Sequence, residues 1–154
     1  MQSLLAEVSG RRFALPLNLV RKVLPAMAVT PVANAPHVVD GIVEIRGQLH
    51  AVVSVARALG LGNGEIAADH HFVLAKVGEL LLALHVDRAL SVIDLDEAGL
   101  VPFAEVLPGA SGPSGAVARA GDELLVVHDL PSFLSLRETQ ATGEVLARHA
   151  EARS

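Results

Sequence analysis

A sequence pattern that occurs twice constrains this chain more than any other feature. Ala14-Leu15-Pro16-Leu17 corresponds to Ala83-Leu84-His85-Val86, an offset of 83 − 14 = 69. The same offset carries Val20 to Ala89, Val23 to Val92 and Leu24 to Ile93. Further on, Gly41 maps to Gly115 and Val52-Val53 to Val126-Val127, an offset of 115 − 41 = 74. Each copy then runs into a short apolar turn, Val55 to Leu59 in the first and Leu130 to Leu134 in the second. A repeat of roughly 70 residues predicts two copies of one small unit. Units of that size bury little surface alone, so the two are expected to pack together.

The unit reads as β-structure, because short apolar runs alternate with turn residues. Leu4 to Val8 and Phe13 to Leu17 flank the turn Ser9-Gly10-Arg11, and Val20 to Leu24 is a third strand or a short helical turn. A connector punctuated by Pro25, Pro31 and Pro36 follows. Within it Asn34-Ala35-Pro36 predicts the start of a short helix that Gly41 stops. Gly41 to Arg46 and Gln48 to Ser54 form the clearest hairpin, around Arg46-Gly47. Gly41 and Gly47 read as backbone-geometry residues rather than contacts. Val55 to Leu59 predicts a short helix, and Gly60 to Gly64 a flexible connector. Phe72 to Val77 and Glu79 to Val86 pair around Gly78, and Leu90 to Leu95 is a strand. Pro102 to Pro113 is rich in loop residues, and Gly115 to Ala118 pairs with Glu123 to Val127 across Gly121-Asp122. These predict a β-domain over residues 1–136, and a helical tail over 137–154 with a weak apolar stripe of Val145, Leu146 and Ala141.

Hydrophobic residues make up 51% of the 154, and mean hydropathy is +0.47. Such a chain builds a core easily and has apolar surface to spare for partners. A bilayer span takes about 20 consecutive apolar residues, whereas the run at Leu80 to Leu84 soon meets His85 and Asp87. Glu7 and Arg11 come too early for a signal segment, so the cytoplasm is the expected compartment. With no cysteine, disulfides and thiolate metal sites are excluded. A net charge of −5, and no basic stripe interleaved with aromatics, argue against a nucleic-acid partner.

Catalytic patterns are incomplete. Asp69-His70-His71 matches the triplet of a phosphoesterase family, but metal hydrolysis needs further convergent ligands that no companion motif supplies. It reads as a solvated loop leading into the strand at Phe72. Gly60-Leu61-Gly62-Asn63-Gly64 has the wrong spacing for a dinucleotide loop. Ser54 and Ser91 lie outside any nucleophile elbow. His50, His85 and His128 read as structural histidines with satisfied ring nitrogens. No catalytic residue, metal ligand or cofactor is expected. Arg46 is different: a guanidinium next to the Gly47 turn is able to brace neighbouring carbonyls or to meet a partner.

The stretch from Asn34-Ala35-Pro36 through Gly41-Ile42-Val43-Glu44-Ile45-Arg46-Gly47 to Val52-Val53 resembles the central signature of the CheW-like domain family. Ile45 stands where that signature usually has Leu. Phe13 to Leu17 and Val20 to Val23 resemble the family's second and third strands, and Leu84 to Leu90 its Val-Asp segment. Gly115-Ala116-Val117 and Leu124 to Leu134 resemble its closing hairpin and helix. The resemblance runs from Gln2 to Leu136. It implies an all-β fold of two five-stranded SH3-like barrels on a shared hydrophobic core, with short helices and a C-terminal helix. Two departures stand out: Ser54-Val55-Ala56 replaces the usual Asp-Leu-Arg, and Lys22 occupies a position that is often acidic.

The family further implies a non-enzymatic chemosensory adaptor of bacterial signal transduction. Its partners would be a CheA-type histidine kinase regulatory domain and the cytoplasmic tip of a chemoreceptor. Receptor tips are helical hairpins, so the groove between the barrels is the expected docking surface. Candidate partner-binding residues are Val20, Lys22, Val23, Arg46 and Val86, although the three valines are equally compatible with the core. The alternatives are a CheW-like scaffold for pilus motility or gene regulation, and a small-ligand-binding β-barrel.

Overall fold

Tight turns at positive φ fold the chain into antiparallel hairpins. The structure is a computed structural model and describes residues 1–102, 105, 115–120, 123–128 and 136–153. Ser9-Gly10 (φ 50 and 76°) joins β1 (Gln2–Val8) to β2 (Arg11–Pro16), and Arg46-Gly47 (φ 52 and 79°) joins β4 (Val39–Ile45) to β5 (Gln48–Ser54). Positive φ at both central residues matches the twist of the flanking strands. A single-turn 3₁₀ helix at Leu17–Leu19 leads into β3 (Val20–Pro25). The helix α1 (Val55–Ala58) follows β5. Next come β6 (His71–Val77), β7 (Leu80–Val86), β8 (Arg88–Asp94) and the short β9 (Val101–Pro102). The chain closes with β10 (Gly115–Ala120), β11 (Glu123–His128) and α2 (Leu136–Arg153). The expectations for Pro102 to Pro113 and Leu130 to Leu134 lie largely outside the described residues, as does the Gly121-Asp122 turn.

The two-barrel all-β architecture forms, with one sheet of five strands ordered β3-β6-β7-β5-β4. The other has six, ordered β8-β1-β2-β11-β10-β9, the sixth being the two-residue β9. The sheets are not the two sequence repeats. Each repeat gives its first hairpin to one sheet and its later strands to the other, so β1-β2 joins β8, β10 and β11 while β6-β7 joins β3, β4 and β5. Parallel pairs β2–β11 and β5–β7 make the exchange. Neither sheet is built from a single repeat.

Register confirms one offset and corrects the other. Ser3↔Pro16 and Phe72↔His85 differ by 69 at both ends, as do Leu5↔Ala14 and Leu74↔Ala83. The closing hairpins instead superpose at 120 − 45 = 75, because Ile45↔Gln48 becomes Ala120↔Glu123. At that offset Val52↔Ala83 becomes Val127↔Ala14, the observed pair. The sequence offset of 74 is therefore one residue out. Strand side chains alternate between faces, so this slip equates residues on opposite faces. Val53 lies in the core between the sheets, whereas Val127 lies inside its own barrel.

The core follows the same symmetry. Val43, Val52, Phe72, Leu74 and Ala83 fill one barrel, and Ala14, Leu95, Ala118, Leu125 and Val127 fill the other. The central cluster between them takes Leu4, Ala6, Phe13 and Leu15 from one sheet. Val53, Val73, Ala75, Leu82, Leu84 and Val86 come from the other. Burying one such side chain contributes about 1.5–3 kcal/mol, so this cluster welds the barrels together. The tail helix α2 packs on it through Leu146, with Val145 and Thr142 buried.

No helix starts at Asn34. That residue adopts φ 61° in a turn, and Gly41 lies inside β4 rather than stopping a helix. Three prolines in the connector leave too few N–H donors for a stable nucleus. Thr30 forms two backbone hydrogen bonds with Ile42, both 2.9 Å, and seats the connector over β4. Gly41 permits that contact: a Cβ there would fall 2.8 Å from Thr30 C and Val29 Cγ1 and nearer still to Thr30 O.

Candidate functional site

The strand orders end on β3 and β4 in one sheet and on β8 and β9 in the other. The connector bridges β4 at Thr30 and β9 has two residues, which leaves β3 and β8 as the long open edges among the described residues. Among the described residues β3 pairs only with β6, and its register shifts between Val20 and Lys22. This bulge turns two valines three positions apart toward the same side. Val20 and Val23 both pack against the central cluster while partly exposed. Between them Arg21 and Lys22 are exposed, giving a basic edge to a chain of net charge −5. Charged edge residues also protect a sheet from pairing with other chains.

The remaining candidates are dispersed. Arg46 is exposed in the β4–β5 turn and, among the described residues, makes no hydrogen bond or ion pair. It sits in a turn at φ 52°, at the far edge of the sheet from β3. Val86 is fully buried in the central cluster and offers no surface to a partner. Its inclusion among docking residues is corrected by that burial.

The brace is Arg57, which sequence reasoning passed over. Its Nε donates to His37 O and its Nη1 to Asn63 O, each at 3.0 Å, while Nη2 pairs with Asp40. One guanidinium thus ties α1 to β4, to the connector and to the glycine-rich loop. The loop from Gly60 to Gly64 is consequently anchored rather than a free connector. Ser54 caps α1 by accepting the Arg57 N–H at 3.2 Å. An Asp would cap equally well, so the Ser54 departure preserves the local structure.

The repeat also pointed to a second edge. β8 takes the place of β3 in the other barrel, with Val92 at the position of Val23. There Val92 is 53% and Leu90 39% exposed. The offset of 69 had already paired Val23 with Val92, but only the edge position of β8 shows that the second copy stays uncovered.

His70 is not a solvated loop residue. Its Nδ1 contacts His85 Nε2 at 2.6 Å and its Nε2 lies 3.7 Å from Asp87 Oδ1. Among the described residues no three His, Asp or Glu side chains converge as metal ligands. Burial lowers the pKa of His85, and the nearby His70 lowers it further. Among the described residues His85 Nδ1 is buried without a hydrogen-bond partner, which departs from the expectation of satisfied ring nitrogens. Burial lowers His50 too, partly offset by the Gln48 carbonyl at 3.2 Å. His128, edge-on to Phe13, is pushed down to about 4 by burial.

The CheW-like domain family matches residues 2–138, which span both barrels. The chain belongs to that family. It is 24% identical over 136 residues to the chemotaxis protein CheW of Rhizobium meliloti, covering 87% of each protein. It is 26% identical over 91 residues to the chemotaxis protein CheW of Thermotoga maritima, covering 59% of this chain and only 60% of that one. The scaffolding protein TtCheW from Thermoanaerobacter tengcongensis superposes with a TM-score of 0.77 at 18% identity, over 89% of this chain and 94% of that one. That likeness concerns the fold. No helix among the described residues is long and apolar enough to cross a membrane.

Proposed function

We propose that this CheW-like protein is a non-enzymatic chemosensory adaptor in the cytoplasm, joining a CheA-type histidine kinase regulatory domain to a chemoreceptor cytoplasmic tip. The observation that carries the reading is the family match across both barrels, combined with the open β3 edge. Val20 and Val23 supply apolar contact there, and Arg21 and Lys22 supply positive charge. Such an edge suits an acidic surface flanked by apolar residues. Arg46, exposed and without a partner among the described residues, is a second contact, and its distance from β3 in pairing order suits an adaptor that holds two proteins at once. Holding both raises their effective concentration and couples their conformational states without chemistry.

The test is a titration of the full chain against the kinase regulatory domain and against a receptor-tip fragment, with Lys22→Glu and Arg46→Glu alongside. Both side chains are exposed, so the variants keep the wild-type melting temperature. Saturable binding of both partners, weakened at least tenfold by one or other charge reversal, supports the adaptor reading. A well-folded sample that binds neither partner overturns it. Binding only to kinases of pilus or gene-regulatory pathways keeps the adaptor and replaces the chemotactic assignment.

A further inference from the structure

The family match ends at residue 138, whereas α2 runs on to Arg153. The added turns fold back onto the barrels. Val145 is buried, and Leu146 packs on the central cluster between the two sheets. A Cβ built on Gly143 would lie 3.6 Å from Leu80 Cδ2, at the start of β7, and α2 also packs on β5. The groove expected to receive a partner's helix therefore already holds a helix of this chain.

Strand register gives the room that is left. Val20↔Ala75, Ala75↔Leu82 and Ala51↔Leu82 place Val20, Ala75, Leu82 and Ala51 in one row across the sheet. All four belong to the central cluster or pack on it, so they share the face between the barrels. From Val20 to Ala51 is three strand spacings, roughly 14 Å. Half-buried Leu17, Leu19, Val77 and Leu80 continue this apolar floor at the end of the sheet where α2 sits. One helix with its side chains is about 10–12 Å across, and two packed helices about 18–22 Å. A helical hairpin laid flat on the floor beside Val20 and Val23 thus needs the place of α2.

α2 is seated so that it is able to leave. Thr142 Oγ1 donates to Glu138 O at 2.7 Å and His149 Nδ1 to Val145 O at 3.0 Å, both within the helix. Neither polar group loses its bond when the helix is displaced. Along another side, a cleft of about 450 Å³ lined by Asn34, Ala141, Glu144, Ala147 and Arg148 separates α2 from the connector. Gly143 weakens the helix itself, because glycine is a poor helix former.

We propose that α2 is a displaceable gate on the groove between the barrels, standing in the free protein where one helix of a partner's helical hairpin binds. The gate rests on the docking reading above and adds its regulation. The hairpin must repay the undocking of α2, so the strength with which α2 is seated sets the partner's apparent affinity.

Titration of the full chain with a receptor-tip hairpin fragment tests this, comparing wild type with Gly143→Ala and Val145→Ala. An 18-residue helix with an interior glycine is marginal on its own. Alanine at 143 accordingly favours the docked helix, and its Cβ makes only ordinary contact with Leu80. Gly143→Ala should weaken hairpin binding by up to about fivefold. Val145→Ala loosens the seat and should tighten binding by about tenfold. In the saturated complex the amides of residues 142–146 should lose protection from hydrogen exchange, while those of β6 and β7 keep theirs. The kinase regulatory domain, titrated as a control, should bind all three proteins alike. Hairpin binding that ignores both substitutions, α2 amides that stay protected in the complex, or equal shifts for the kinase domain would each overturn the gate alone. If none of the three folded proteins binds the hairpin, the docking reading falls and the gate falls with it.

Discussion

Replacing Gly41 by alanine isolates the contact that seats the β3–β4 connector. The new Cβ would lie 2.8 Å from Thr30 C and from Val29 Cγ1. Carbon atoms settle at no less than ~3.5 Å, so the connector must retreat by at least ~0.7 Å. Thr30 N–H to Ile42 O and Ile42 N–H to Thr30 O, each 2.9 Å, are then stretched past useful geometry. Two neutral hydrogen bonds contribute about 1 kcal/mol each. Holding alanine at φ 153° adds about 1–3 kcal/mol. The sum is a loss of about 3–5 kcal/mol, to be read from urea unfolding followed by circular dichroism. Gly47 is the control, since it has φ 79° but no atom within 4 Å of a built Cβ. Gly47→Ala should cost only about 1 kcal/mol, the conformational strain alone. If Gly41→Ala stays within about 1 kcal/mol of wild type, or costs no more than Gly47→Ala, the steric reasoning is refuted.

Three further outcomes follow from the packing. Arg57→Met removes three anchors and strands a largely buried Asp40, so stability should fall by about 2–4 kcal/mol, mostly regained in Arg57→Met/Asp40→Asn; equal loss in single and double variants would show that the ion pair is not the main term. His128 titrates near 6.5 when unfolded and at about 4 in the fold, so the unfolded chain binds the extra proton. Its stabilising contribution is accordingly full above pH 6.5 and lost as pH falls toward 4. His128→Leu should flatten that part of the urea-midpoint profile, and an unaltered profile would count against the buried neutral ring. Val145 is 2% exposed, so Val145→Ala should cost about 1.5 kcal/mol, roughly two buried methylenes, in the same unfolding assay; no measurable loss would mean that α2 does not dock.

Much of the fold was legible in the chain itself. The offset of 69 matched register pair for register pair, because hairpins are local and their turns, Ser9-Gly10 and Gly78, declare the φ they need. The Ser54 cap and the α1 helix also follow from neighbours in sequence. Legibility failed where distant chain segments decide. The offset of 74 missed by one because the Val-Val identity outweighed the hairpin register of 75, which the parallel partner strands share. Arg57 was missed because its three partners are scattered from His37 to Asn63. Val86 was over-read because strand periodicity says that a side chain faces inward or outward, not whether a second barrel covers it.

Sequence alone determined the repeat, the β-class, the turns and the family, since each rests on local backbone preference or on the order of motifs. The tertiary structure decided which repeat half completes which barrel, which edge strands stay open, and where His70 meets His85 across 15 residues. The physical reason is that hydrophobic burial is non-directional. Two like repeats satisfy it equally by closing on themselves or by exchanging hairpins. Only the long-range parallel pairs β2–β11 and β5–β7 select the exchange.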